Sequence, residues 1–192
     1  KVTGSQSDLT AALVTEASMV SVSDAAVVVS DADYNATNNN VTITASDLQA
    51  IGNATSGAVT VTNAIKITGT QSDVTAALVT EASMVSVSDA AVVISDAAYH
   101  ANNNATTINA SDLKNIGNAT TGTVTLTNAI RLSGTQSDVT AALVTEGSKV
   151  VAGAASTIAN VSDSVNASQG QAIAAASNIS AAFSGGVEDS TS

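Results

Sequence analysis

The sequence predicts a repeat solenoid of mostly parallel β coils with short helical arms, either a β-solenoid or a leucine-rich-repeat-like α/β solenoid. Three observations predict it. Residues 1–25 read KVTGSQSDLTAALVTEASMVSVSDA, residues 66–90 read KITGTQSDVTAALVTEASMVSVSDA, and residues 131–150 begin the phrase again as RLSGTQSDVTAALVTEGSKV. Lys1, Lys66 and Arg131 are therefore equivalent, a period of 65 residues. The apolar side chains, 44% of the 192 residues, are almost all small and aliphatic, and aromatics are only 2%, which suits thin regular layers. Strand-like stretches begin about every 18 to 21 residues, roughly one coil of a solenoid.

Within the first unit the elements follow in order. Val2-Thr3-Gly4 reads as a strand, and Ser7-Asp8-Leu9-Thr10-Ala11-Ala12-Leu13 follows as a helical arm. Ser7, with Ser72 and Ser137 in the other copies, stands where an N-cap is expected. Asp8, Asp73 and Asp138 follow in the first turn, where a carboxylate meets the positive end of the helix dipole. Met19 to Asp24 alternates like a strand, and so does Val41-Thr42-Ile43-Thr44. Ser46-Asp47-Leu48 to Ile51-Gly52 repeats the helical device, with Gly52 as its stop. Val59 to Asn63 completes the unit as a Thr/Val strand.

Equivalent apolar residues form columns: Val2, Ile67 and Leu132; Leu13, Leu78 and Leu143; Val20 and Val22 with Val85 and Val87; Val59 and Val61 with Val124 and Leu126. Stacked copies would bury such columns against one another, which a single copy cannot do. Differences cluster in 33–44 and 98–109, around Asn38–Asn40 and Asn102–Asn104, and these stretches read as exposed turns. The solenoid is expected over 1–150, as repeats 1–65 and 66–130 and a partial repeat 131–150. An Ala/Ser/Asn-rich tail, 151–192, follows. Ile173, Ala176, Ile179 and Phe183 give the tail helical spacing, interrupted by Gly170 and Asn178. It reads as a terminal cap or as a segment that docks on the next subunit. The start of the chain shows no cap and reads as a docking surface for head-to-tail growth. Lys1 reads as a processed mature end or as part of a longer polypeptide.

Composition excludes several partners. With no Cys there is no disulfide framework, and zinc or iron–sulfur sites are not expected. A net charge of −11 with five Lys+Arg residues builds no phosphate-tracking patch, so neither nucleic acid nor an anionic membrane is an expected partner. No apolar run is long enough to insert in a membrane.

The pattern [KR]-[VIL]-[TS]-G-[ST]-Q-S-D-[LV]-T-A-A-L, with VSVSDA and GNAT-[ST]-G-x-V-T-[VL]-T-N-A-I, resembles repeats of very large surface and secreted proteins of cyanobacteria, of haemolysin-like, calcium-binding or adhesin-like kinds. The resemblance covers residues 1–150. It implies an extracellular or cell-surface structural or adhesive role, and it carries no catalytic motif. The calcium nonapeptide G-G-x-G-x-D is absent from this chain.

No catalytic, cofactor-binding or metal-binding residue is assigned, and no enzyme activity is expected. Asp24, Asp31 and Asp33, echoed by Asp89 and Asp96, are read as turn residues, with calcium as the one cation that such oxygens would suit. Thr42/Thr44, Thr60/Thr62 and Thr125/Thr127 are Thr-x-Thr pairs that could order water at an ice surface, but Thr107/Asn109 breaks the array. His100 has Asn35 as its counterpart, which argues against catalysis. Glu16, Glu81 and Glu146, eight residues after Asp8, Asp73 and Asp138, form carboxylate pairs that recur in every copy and are read as structural. Asn35, Asn53, Asn118, Asn160 and Asn178 head Asn-x-Ser/Thr acceptors. The expected function is a structural subunit or segment of an extracellular filament, sheath or surface layer whose partner is itself. The rival is an adhesin or phage-fibre-like module, calcium-stabilised, that binds a surface glycan or another cell-surface ligand.

Overall fold

The computed structural model describes residues 1–15, 20–37, 41–83, 85–102, 107–145, 150–153 and 157–188. They divide into two compact units, Lys1–Val93 with Ala119–Thr123, and Ile94–Asn118 with Val124–Ser192.

In the first unit β1 (Val2–Gly4) leads into helix α1 (Gln6–Leu13). Then come β2 (Val27–Val29), β3 (Thr42–Thr44), α2 (Ala45–Asn53), β4 (Val59–Val61), β5 (Lys66–Gly69), α3 (Gln71–Leu78), β6 (Val85–Ser86) and β7 (Ala91–Ile94), which ends at the unit boundary. One sheet has the order β1-β2-β4-β6, all parallel, with Val2 opposite Val27, Val27 opposite Val59 and Val59 opposite Val85. A second parallel pair joins β3 to β5, Ile43 opposite Ile67. The helices pack in sequence, α1 on α2 and α2 on α3. Alternation on β4, with Val59 and Val61 inward and Thr60 outward, follows the two-residue period of a strand.

The second unit repeats this grammar. It contains β8 (Thr107–Asn109), α4 (Ala110–Ala119), β9 (Val124–Leu126), β10 (Arg131–Gly134), α5 (Gln136–Leu143) and β11 (Val150–Ala152). It continues with β12 (Thr157–Val161), β13 (Val165–Asn166), α6 (Ala167–Ala174), β14 (Ile179–Phe183) and β15 (Val187–Glu188). A parallel sheet runs β14-β12-β10-β8, and β9 pairs with β11 and β13 with β15. Leu113, Ile116, Leu126, Leu132 and Ile173 are buried at its core.

The expected solenoid of mostly parallel β coils with short arms is corrected. Among the described residues the chain is an α/β fold with four parallel sheets, of four, five, four and two strands, and six helices of eight to ten residues. The physical reason lies in the crossovers. Parallel neighbours need a long connection, and here full α-helices, not irregular arms, fill many of them. Each helix buries an apolar side, and the strands divide among separate sheets.

Local expectations are corrected as well. The N-caps are Ser5, Thr70 and Thr135, two residues before the expected serines, and each side chain accepts the N–H of Asp8, Asp73 or Asp138. Gly52 lies inside α2 and does not stop it; Ala54 is the C-cap. A Cβ on Gly52 would stand 2.1 Å from the Ser83 carbonyl oxygen, so close backbone approach explains this glycine. In the tail, α6 ends at Ala174, and Ile179 and Phe183 lie on β14 instead of a helix. Asn178 turns the chain between them with φ 62°, a left-handed conformation that Asn tolerates.

Candidate functional site

The recurring motifs bind one another. In the first copy the Thr55 hydroxyl donates to the Ala25 carbonyl at 2.8 Å and accepts the Gly57 N–H at 3.0 Å, while Ser56 Oγ donates to the Ser23 carbonyl at 2.8 Å. Thr120, Gly122 and Thr121 repeat these bonds on Ala90 and Ser88. The GNAT[ST]G loop therefore clamps the VSVSDA loop. Thr55 and Thr120 are buried, so the Thr of the acceptor sequences at Asn53 and Asn118 serves packing. The Asn63 amide similarly donates to the Asp31 carbonyl at 2.5 Å, and Asn128 to that of Asp96 at 2.7 Å.

The acidic residues work locally. Asp31 Oδ2 accepts the Gln6 N–H at 2.6 Å, at the first turn of α1, and Asp163 Oδ1 does the same for Gln136 of α5. Asp33 Oδ1 accepts the Ala64 N–H at 3.0 Å. Asp24 and Asp89 accept from the neighbouring Ser23 and Ser88 hydroxyls. Among the described residues no three His, Cys, Asp or Glu side chains converge as a metal site would require. Asp163, which sequence reading did not single out, ends Val161-Ser162-Asp163 as Asp31 ends Val29-Ser30-Asp31, a shared phrase that falls two residues off the 65-residue period.

The Thr pairs face outward on β3 and β4, but Thr44 Oγ1 caps α2 and Thr62 Oγ1 contacts the Val29 carbonyl. Thr127 is tied to the Ile94 carbonyl at 3.0 Å. His100 is exposed, at the same turn as Asn35, whose side chain accepts the Thr37 N–H at 2.9 Å. Glu81 is exposed; Glu16, Glu146, Asn38–Asn40, Asn103 and Asn104 lie outside the described residues.

Two cation contacts escaped the sequence reading. The Lys66 ammonium lies 5.0 Å from the centre of the Tyr34 ring, and the Arg131 guanidinium 5.7 Å from that of Tyr99. Both residue pairs keep the 65-residue period, which is the signal that would have found them. Lys114 and Asp138 form an ion pair of 2.6 Å. The Lys114 ammonium holds the Asp138 carboxyl below its ordinary range, against the opposing effect of burial, and the Thr135 hydroxyl helps.

A 410 Å³ depression lies at the ends of α5 and α6, beside β11 and Ile179. Its lining is aliphatic apart from Ser177, with no titratable group for acid–base work. No helix among the described residues is long and apolar enough to cross a membrane.

What the structure does present is open strand edge. β1 ends its sheet with β2 on one side, and β14 ends its sheet with β12 on one side. Among the described residues each has no sheet neighbour on its other side, and the same holds of β3, β6, β8 and β11; such edges are the usual place for another strand to add. A scan against protein-family models and searches of the curated proteins and of the solved structures found no match.

Proposed function

We propose that this chain is a structural subunit or segment of an extracellular filament, sheath or surface layer, assembling by parallel strand addition between copies. The observation that carries this reading is that equivalent segments of the chain stack on one another through parallel pairing, β3 on β5 and β8 on β10, with the same strand and helix pattern in each. Parallel pairing with a helix in the crossover is how this chain joins one segment to the next, and the same pairing can join two chains. The side chains near the motifs support a packing role: the hydroxyls, amides and carboxylates described above bind backbone groups of neighbouring loops. A net charge of −11 would limit lateral clumping of assembled chains.

Sedimentation velocity of the purified chain across a concentration series, with electron microscopy of the same samples, tests the reading. Concentration-dependent linear species are expected. A monomer at every concentration overturns it.

A further inference from the structure

Residues 33–37 read DYNAT, and their counterparts 98–102 in the second copy read AYHAN. The Tyr and the second Ala are kept, while Asp33, Asn35 and Thr37 become Ala98, His100 and Asn102. Those three are the positions that a bacterial type of N-linked glycan acceptor uses: an acid, an Asn two residues on, and a hydroxyl two residues beyond that. Of the Asn-x-Ser/Thr sequences in the chain, only that of Asn35 has an acidic residue two positions before the Asn. At the others that position is Ile, Thr, Asn, Ser or Ala.

The fold presents this stretch. The Tyr34 N–H donates to the Ala64 carbonyl at 2.6 Å, and the Lys66 ammonium donates to the Tyr34 hydroxyl at 3.4 Å. Asp33 Oδ1 accepts the Ala64 N–H at 3.0 Å. These contacts hold Asp33 and Tyr34 to the chain that enters β5. Asn35, Ala36 and Thr37 follow, and all three are exposed. Asn35 Oδ1 accepts the Thr37 N–H at 2.9 Å, which brings the amide and the hydroxyl residue together in one turn.

Other acceptor sequences are taken up by the fold. The Thr55 and Thr120 hydroxyls, two residues after Asn53 and Asn118, are buried on the Ala25 and Ala90 carbonyls. Asn160 lies on β12, between β10 and β14. Asn166 caps α6, and the Asn178 amide donates to the Ala152 carbonyl at 2.8 Å. A transferase must draw its acceptor stretch into its own site, which an exposed turn permits and a strand inside a sheet does not.

We infer that Asn35 is the acceptor of an N-linked oligosaccharide, donated from a polyprenyl diphosphate carrier. Asn35 Nδ2 forms a bond to the anomeric carbon of the first sugar. The bond from that carbon to the diphosphate oxygen breaks, the lipid diphosphate leaves with the electron pair, and the amide proton passes to a base of the transferase. Asp33 offers the transferase a carboxylate for a cationic side chain, and the Thr37 hydroxyl offers a hydrogen bond. The inference rests on the extracellular part of the reading above, because such donors are used on the outer side of a membrane; it does not depend on assembly.

The test incubates the folded full chain with a purified single-subunit bacterial oligosaccharyltransferase and a lipid-linked oligosaccharide, and reads intact mass and peptide maps. One oligosaccharide is expected, on Asn35, and none on Asn35→Gln. Asp33→Asn keeps the oxygen that binds Ala64 and should slow the transfer at least about tenfold, through loss of one charge-assisted contact. The triple variant Ala98→Asp, His100→Asn, Asn102→Thr should gain a second oligosaccharide, at position 100. A chain that stays bare at Asn35 overturns the inference, and so does a bare Asn35 peptide in protein taken from its natural source. Transfer at an unchanged rate to Asp33→Asn overturns the role given to Asp33. Sedimentation velocity of the same chain reads assembly separately. A monomer that accepts the glycan overturns assembly alone, and linear species that stay bare at Asn35 overturn the glycan site alone.

Discussion

Gly69 lies so close to Ala45 that no side chain fits between them: a Cβ on Gly69 would be 2.8 Å from that of Ala45. Gly134 meets Ala110 in the same way at 2.7 Å, and Gly4 meets no such partner. Gly69→Ala and Gly134→Ala should each destabilise the fold by about 1–3 kcal/mol through overpacking, outweighing the roughly 0.4–1 kcal/mol that a lost glycine gives back through the unfolded chain. Gly4→Ala should not destabilise. Urea unfolding at low protein concentration measures all three.

A Cβ on Gly52 or Gly122 would run into backbone instead of a methyl group, the carbonyl oxygens of Ser83 and of Ala90. A carbonyl held in a loop cannot rotate aside as a side chain can. Gly52→Ala and Gly122→Ala should therefore cost at least about 3 kcal/mol, the upper end of overpacking penalties. The same urea series reads the difference from Gly69→Ala.

Thr157 is 0% exposed and its hydroxyl has no hydrogen-bond partner. Thr157→Val removes a buried unsatisfied hydroxyl and keeps the shape, so it should stabilise by about 1 kcal/mol. A raised melting temperature in calorimetry is the expected outcome.

Thr70 caps α3 through the Asp73 N–H at 3.2 Å. Thr70→Ala should cost about 1 kcal/mol, the usual loss for an N-cap. Thr70→Ser keeps the oxygen and should restore most of it, which separates capping from packing in thermal melts.

The Asp138 carboxyl is held low by Lys114. A carboxylate with a depressed folded pKa stabilises above its unfolded value, near 3.9, and loses that contribution as pH falls through the folded value. The pair should therefore matter at neutral pH and vanish in strong acid. Lys114→Met should lower stability by less than about 1 kcal/mol at pH 7 and by nothing near pH 2. Melts of both chains between those limits make the comparison.

Much of the local structure is legible in the residues. The S/T-x-x-D pattern starts α1, α2, α3 and α5, with Asn109 and Asn166 in the same place before α4 and α6, although the cap is Ser5 or Thr70 and not the serine beside the Asp. Ile43 between two threonines makes β3 readable from alternation alone. The strands β2 and β7 are not legible this way, because Ala26-Val27-Val28-Val29 is a continuous apolar run with no period to read. The clamp of Thr55 on Ala25 joins two motifs that are thirty residues apart, and only their recurrence together hints at it.

The sequence by itself determined the equivalence of the copies and the aliphatic columns that must be covered. Tertiary structure decided whether those columns are covered, and that in turn decided local conformation. Residues 17–25 and 82–90 are the same, ASMVSVSDA. Val85–Ser86 is a strand because β4 lies beside it, Val59 opposite Val85. Val20 and Ser21 form no strand. A strand is completed by its neighbour's hydrogen bonds, so identical residues take different structures when only one of them has a neighbour.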